Sequence, residues 1–141
     1  MGPITDENVF NGDDIKMVSE KNRLESFKNW KFKTGKCTKE KMARTGFYHC
    51  NIKKENTVRC FFCFLLLDNW TKNDDPQERH LSNNPNCIFA KLNKDQDNLT
   101  VSELNLVIQE RNKNMIKARF QTKLDEYNAQ ISELTEIIKQ F

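Results

Sequence analysis

Four side chains that bind metal ions well recur at Cys60-x2-Cys63-x16-His80-x6-Cys87 in a chain of 141 residues, and no other feature restricts the fold as much. A Cys-x-x-Cys pair lets two thiolates grip one ion from a single tight turn. Cys3His is a closed tetrahedral zinc set, with bonds of ~2.3 Å to sulfur and ~2.0–2.1 Å to nitrogen. Four protein ligands leave no open position, so one structural, non-catalytic Zn2+ is expected. A thioredoxin-like pair would need a βαβ setting with a helix starting at the first cysteine. Here the pair sits in the apolar, β-favouring run Cys60–Leu67. Five cysteines, an odd number, with no secretory pattern before them argue for a reducing compartment rather than a disulfide framework. Cys37 and Cys50, left over from the set, read as small core fillers. A core of about 70 residues needs such a staple, because alone it rarely yields more than a few kcal/mol.

Charge divides the chain into three. Residues 1–20 carry one Lys against five acids, or −4; residues 21–98 carry 16 basic and 9 acidic groups, or +7; residues 99–141 balance at six and six. The first block reads as a flexible acidic leader. The second fits either a solvated lysine-rich face or an anionic environment such as chromatin. No apolar run approaches the ~20 residues of a membrane span.

Within the basic block, Leu24, Phe27 and Trp30 are spaced for one face of a short helix. Thr38 is placed to cap a second helix that Gly46 ends. Phe47–His49 reads as a strand, 51–57 as a polar turn, Val58–Leu66 as a second strand and Trp70 as a third, after an Asp68-Asn69 turn. Asp75-Pro76 starts a helix that carries His80, with Asp as cap and Pro in the first turn. The fold class is α+β: a zinc-bound unit over 21–92, a linker over 93–98 and a long helix over 99–141.

That last segment holds no Gly and no Pro. Leu104, Ile108, Met115 and Ala118 form one stripe. Phe120, Leu124, Tyr127, Ile131, Leu134, Ile138 and Phe141 then repeat at 4-3-4-3-4-3, a coiled-coil seam. A helix of about 40 residues is ~60 Å long and outreaches an 80-residue domain, so the distal seam must meet another chain or stay exposed.

Three stretches, Arg23-Leu24-Glu25-Ser26-Phe27-Lys28-Asn29-Trp30, Ala43-Arg44-Thr45-Gly46-Phe47-Tyr48 and Val58-Arg59-Cys60-Phe61-Phe62-Cys63, carry a family resemblance. With Trp70, Asp74-Asp75-Pro76, Glu78, His80, Pro85, Cys87 and Phe89, they resemble a baculovirus inhibitor-of-apoptosis repeat, or BIR domain, over about 22–90. A single repeat followed by one long helix resembles the survivin-like, chromosomal-passenger type of this family. The resemblance implies a short-helix domain around a three-stranded antiparallel sheet. It also implies an adaptor role in mitosis, with no enzyme activity. The long helix would bundle through Leu104, Ile108, Met115, Phe120, Leu124, Tyr127, Ile131, Leu134 and Ile138 with borealin-like and inner centromere protein-like helices, linking indirectly to Aurora B kinase. The implied site of action is the nucleus and chromosomes, at the centromere and then the spindle midzone, with neither membrane nor sequence-specific nucleic acid as partner. The other reading is an inhibitor that binds caspases or their antagonists with N-terminal Ala.

In such domains a groove takes a peptide with a free N-terminal Ala, and for the passenger type that peptide is the histone H-three tail, phosphorylated on its third residue. Here the edge strand Phe64–Leu67 can add the peptide as an extra strand, with Leu67 and Trp70 lining it. Trp70 can wall a methyl-sized pocket, and Asp68 and Asp74 can face the α-ammonium. Leu65 and Asn83 stand where passenger-type members commonly carry a lysine and a histidine. Neither supplies a cation for a phosphate, which leaves Lys72 as a substitute. A homodimer of that type buries aromatic side chains at positions matching Gln96 and Leu104. Leu104 remains apolar and Gln96 does not.

Overall fold

A computed structural model describes residues 12–50 and 55–141 of the protein. The chain runs from a 3-10 turn at Gly12–Val18 through α1 (Glu20–Glu25), α2 (Lys39–Arg44), β1 (Phe47–His49), β2 (Val58–Cys60) and β3 (Leu66–Leu67). There follow α3 (Pro76–Asn83), α4 (Ile88–Leu92), a second 3-10 turn at Gln96–Asn98 and α5 (Val101–Ile138). The strands form one antiparallel sheet in the order β1-β2-β3. Phe47 lies opposite Cys60, and Val58 opposite both His49 and Leu67.

The apolar run after Val58 is not one strand. It turns back at Phe61-Phe62-Cys63, so Cys60 N–H donates to Leu65 O at 2.9 Å and Phe64 N–H to Cys60 O at 3.0 Å. Phe64 takes a left-handed φ of 67° to make the reversal. The third strand is therefore Leu66–Leu67, and Trp70 lies beyond it. Periodicity cannot reveal this, because a continuous apolar run looks the same whether straight or folded. Phe27 and Trp30 likewise belong to the turn after α1, where they are buried and meet edge to face at 5.2 Å. The expected turn over 51–57 falls partly outside the described residues.

The acidic leader expected over 1–20 is folded onto the domain from Gly12 onward, and residues 1–11 lie outside the described ones. Asp14 is buried, where it accepts a hydrogen bond from the Tyr48 hydroxyl and pairs with Arg111 Nη2 at 3.0 Å. Its partners lie 34 and 97 residues away, so no local pattern announces them. Burial, reinforced by Asp14, holds the Tyr48 hydroxyl firmly protonated. Arg23, also fully buried, ties four segments together. Its Nε donates to Ala43 O, its Nη1 to Met17 O and Val18 O, and its Nη2 to Gln96 Oε1, all at 2.9–3.1 Å. Gln96, in the expected linker, also accepts from Glu20 N–H at 3.0 Å and donates to Val18 O at 2.8 Å.

A capping box opens α5. Thr100 Oγ1 accepts from Glu103 N–H, and the Glu103 carboxylate accepts from Thr100 N–H. The first half of α5 docks on the domain through Val107 and Arg111. Arg111 Nε donates to Phe61 O at 3.0 Å while its guanidinium lies 4.0 Å over the Phe61 ring. Of the expected proximal stripe, Ala118 is buried, Ile108 and Met115 are half-buried, and Leu104 is exposed. The docked face thus centres on Val107 and Arg111, one position round the helix from the stripe. From Lys123 onward every side chain is exposed.

The Asp14–Arg111 pair is a buried polar contact between leader and long helix, both side chains being 7% exposed. Asp14→Ala leaves a buried guanidinium without its counter-charge and should cost about 3 kcal/mol. Urea unfolding of the zinc-loaded protein will measure it, and an unchanged midpoint would show the leader to be dispensable.

Candidate metal centre and peptide groove

The turn after β2 brings Cys60 and Cys63 together. Asp75 caps α3 by accepting from Gln77 N–H at 2.9 Å and Glu78 N–H at 3.2 Å, which places His80 one turn into the helix. Cys87 is the N-cap residue of α4, a short helix that the sequence did not suggest. The three Sγ atoms and the His80 nitrogen lie within 4.8 Å of one another. A tetrahedron of ~2.3 Å bonds has edges of about 3.7 Å, so the cluster is of the size a zinc ion requires.

The surroundings select the ligand atom. His80 Nδ1 lies 3.1 Å from Thr45 O and donates to it, leaving the Nε2 lone pair toward the cysteines, 3.4 Å from Cys63 Sγ. Gly46, at φ +97°, allows the close approach: a Cβ there would stand 3.3 Å from Cys60 Sγ and 3.1 Å from the Phe89 ring. Phe47 packs against the His80 ring at 4.6 Å. The thiols titrate as a group. Burial pushes the Cys60 thiol well above its ordinary range. Hydrogen bonds from Cys60 and Cys87 hold Cys63 well below its own. Cys87, although a hydrogen bond with Cys60 favours its thiolate, is pushed up to about 12 by its hydrogen bond with Cys63 and by burial. A dication is what allows all three to ionise. The guanidinium of Arg23, its pKa drawn down to about 10 by burial against the pull of Cys60 and Glu20, remains charged close by.

The peptide-groove residues fall around β3, the end strand of the sheet. Leu67 and Trp70 are nearly buried, with Trp70 Nε1 donating to Leu67 O at 3.4 Å. Asn69, at φ +57°, makes the turn that separates Asp68 from Trp70. Asp68 and Asp74 are both half-buried, and Asp74 Oδ2 accepts from Thr71 N–H at 2.8 Å. Asn83 is exposed, its Nδ2 donating to Arg79 O at 2.8 Å. Leu65 departs from expectation: it is 3% exposed and part of the core, because the fold-back at Cys63 turns it inward. Sequence reasoning also missed Arg79, which lies 4.2 Å over the Trp70 ring. Its place directly before a metal-ligating histidine was the only sign.

Of the other candidate residues, Cys37 is fully buried, with its Sγ donating to Thr71 O at 3.0 Å. His49 stacks on Phe27 at 5.6 Å, serving as a packing surface. The seam residues Phe120, Leu124, Tyr127, Ile131, Leu134 and Ile138 are between 38% and 67% exposed. Among the described residues no helix is long and apolar enough to cross a membrane.

The sequence profile of the BIR family, the Inhibitor of Apoptosis domain, matches residues 23–91. The chain is similar to Baculoviral IAP repeat-containing protein 5 of Cavia porcellus, with 35% identity covering 86% of this chain and 87% of that protein. It is similar to the Mus musculus protein of the same name at 37% identity, covering 84% and 86%. A solved structure of DIAP1 BIR1 bound to a Grim peptide aligns with 52% of this chain and 71% of its own length, at 30% identity and a TM-score of 0.45.

Loading the metal-free protein with zinc near pH 7 should release about three protons, because a chain unfolded without its metal starts with all three ligand cysteines as thiols of pKa ~8.5. Zinc affinity should therefore fall as pH drops. Calorimetry in two buffers of different ionisation enthalpy will count the protons, and a count of zero would place the zinc elsewhere. Structural zinc contributes ~10–16 kcal/mol of apparent binding free energy, against a total stability of ~5–15 kcal/mol for a typical domain. Cys60→Ala should therefore be unfolded or insoluble.

Proposed function

This chain belongs to the inhibitor-of-apoptosis family, as a survivin-like protein with one BIR domain, and from that premise we propose that it is a non-enzymatic adaptor with two working ends. One end is the groove beside β3, which takes the free N-terminus of a histone H-three tail. The other is the distal half of α5, which bundles with borealin-like and inner centromere protein-like helices and so directs Aurora B kinase in mitosis. The proposed site of action is chromosomal, with the centromere before the spindle midzone.

The observation that carries this reading is the bare seam. Six large apolar side chains from Phe120 to Ile138 repeat every 3.5 residues on a helix that the domain no longer touches. Burying one such side chain is worth ~1.5–3 kcal/mol, so the seam is a large store of association free energy. Knobs-into-holes packing with parallel or antiparallel helices is the geometry that spacing serves. Its flanks change sign, with Lys117, Arg119 and Lys123 before Asp125, Glu126, Glu133 and Glu136. That gradient selects partner helices running from acidic to basic and fixes their register.

At the groove end, β3 offers its outer edge for main-chain pairing. Asp68 and Asp74 flank the end of that strand and supply negative charge for an α-ammonium. With Leu65 in the core and Asn83 neutral, phosphate on the third residue of the tail has no cation from either position.

Two measurements test the two ends. Leu124→Glu with Ile131→Glu should abolish co-purification with the partner helices while zinc content and peptide binding persist; retained partner binding would refute the seam. Acetylating a peptide that begins Ala-Arg should weaken its binding by about 1.5–3 kcal/mol, the range for a hydrogen bond to a charged group. Equal affinities for the free and acetylated forms would mean that the groove lies elsewhere. Phosphorylating the third residue should strengthen binding by less than about tenfold, because neither Leu65 nor Asn83 supplies a cation for a charge-assisted bond.

A further inference from the structure

We propose that Arg79 is a built-in competitor for the amino terminus that the groove receives, so that a peptide binds by displacing this guanidinium from between Trp70 and Asp74. The proposal rests on the groove reading given above and adds what this chain's own residues do to it.

Three contacts fix the side chain. The Arg79 guanidinium lies 4.2 Å over the Trp70 ring. Its Nη2 donates to Asp68 O at 3.1 Å, and its Nη1 stands 3.8 Å from Asp74 Oδ2. One cation thus covers the aromatic wall and faces the carboxylate that an incoming α-ammonium would use. The Trp70 side of the groove is accordingly shut, the residue being 4% exposed.

The occupant has the same sign as its rival. An ammonium arriving beside the guanidinium would share Asp74 with a charge of its own sign, which weakens its hold on the carboxylate, and Asp74 Oδ2 already accepts from Thr71 N–H. Arg79 is also incompletely held. Its Nη1 is buried with no hydrogen-bond partner among the described residues, so the Asp74 contact is a long ion pair without a hydrogen bond. A buried donor without an acceptor is costly, and swinging the side chain out to water relieves it. The guanidinium is therefore close enough to exclude a weak ligand and loose enough to yield to one that brings its own ammonium and a strand of main-chain hydrogen bonds.

The test uses the zinc-loaded full chain and a free-amine peptide beginning Ala-Arg. Arg79→Gln removes the charge, and Arg79→Lys keeps it. With a half-buried ion pair and a cation–π contact removed, Arg79→Gln should bind at least about fivefold tighter, while Arg79→Lys stays near the wild type. The acetylated peptide should gain little from Arg79→Gln, a distinction that a purely structural role for Arg79 would not produce. If Arg79→Gln loses zinc, Arg79→Met, which keeps an apolar stem on Trp70, is read in its place. Binding by the wild type with no gain in either uncharged variant overturns the competitor and leaves the groove reading intact. No binding by any variant overturns both.

Discussion

Three thiols and one imidazole within 4.8 Å of one another decide where most of this domain must go. Cys60 ends β2, Cys63 closes the turn that reverses the chain, His80 fixes the height of α3, and Cys87 stands at the N-terminal boundary of α4. A dication at that point resolves an otherwise unfavourable arrangement, because buried thiols resist ionising side by side. The same requirement explains the neighbours. Gly46 is there because a Cβ would crowd Cys60 Sγ, and the Thr45 carbonyl holds the imidazole in the tautomer that presents Nε2.

Around that centre the domain is closed by two buried arginines rather than by more hydrophobic area. Arg23 gathers the leader, α1, α2 and the segment before α5 through carbonyl oxygens and Gln96. Arg111 joins α5 to the turn between Cys60 and Cys63 through Phe61, and to the leader through Asp14. Both guanidiniums also lie against phenylalanine rings, so their apolar faces are covered while their edges are hydrogen-bonded. Arginine suits this role because one planar group can satisfy several acceptors at once and stays charged despite burial. The cost is that each is intolerant of losing a partner.

The result is a molecule with one stabilised half and one unspent half. The first turns of α5 belong to the domain, and the capping box at Thr100 starts the helix where the domain surface begins. Past Ala118 the same helix carries large apolar side chains that stay exposed among the described residues. The proposed groove beside β3 is the opposite case, since its Trp70 ring is already covered by the protein's own Arg79.

The metal-ligand cluster, the capped helix carrying His80, the long helix and its exposed seam were legible in the residue order. Each rests on spacing along a single stretch: ligand spacing, Asp-Pro capping, and a 3.5-residue repeat free of Gly and Pro. Four other matters waited on contacts between distant parts of the chain. The run Val58–Leu66 became a strand and a turn instead of one strand, because two cysteines three apart must face one ion and apolarity does not record a reversal. The acidic leader became part of the core at Asp14, because its counter-charge comes from a residue 97 positions on. Arg79 came to lie on Trp70, and Val107 rather than Leu104 came to face the domain. In these cases the choice lies between neighbouring faces or distant partners of similar local propensity. Contact with the rest of the fold settles such a choice, since residue order alone leaves the competing arrangements nearly equal in energy.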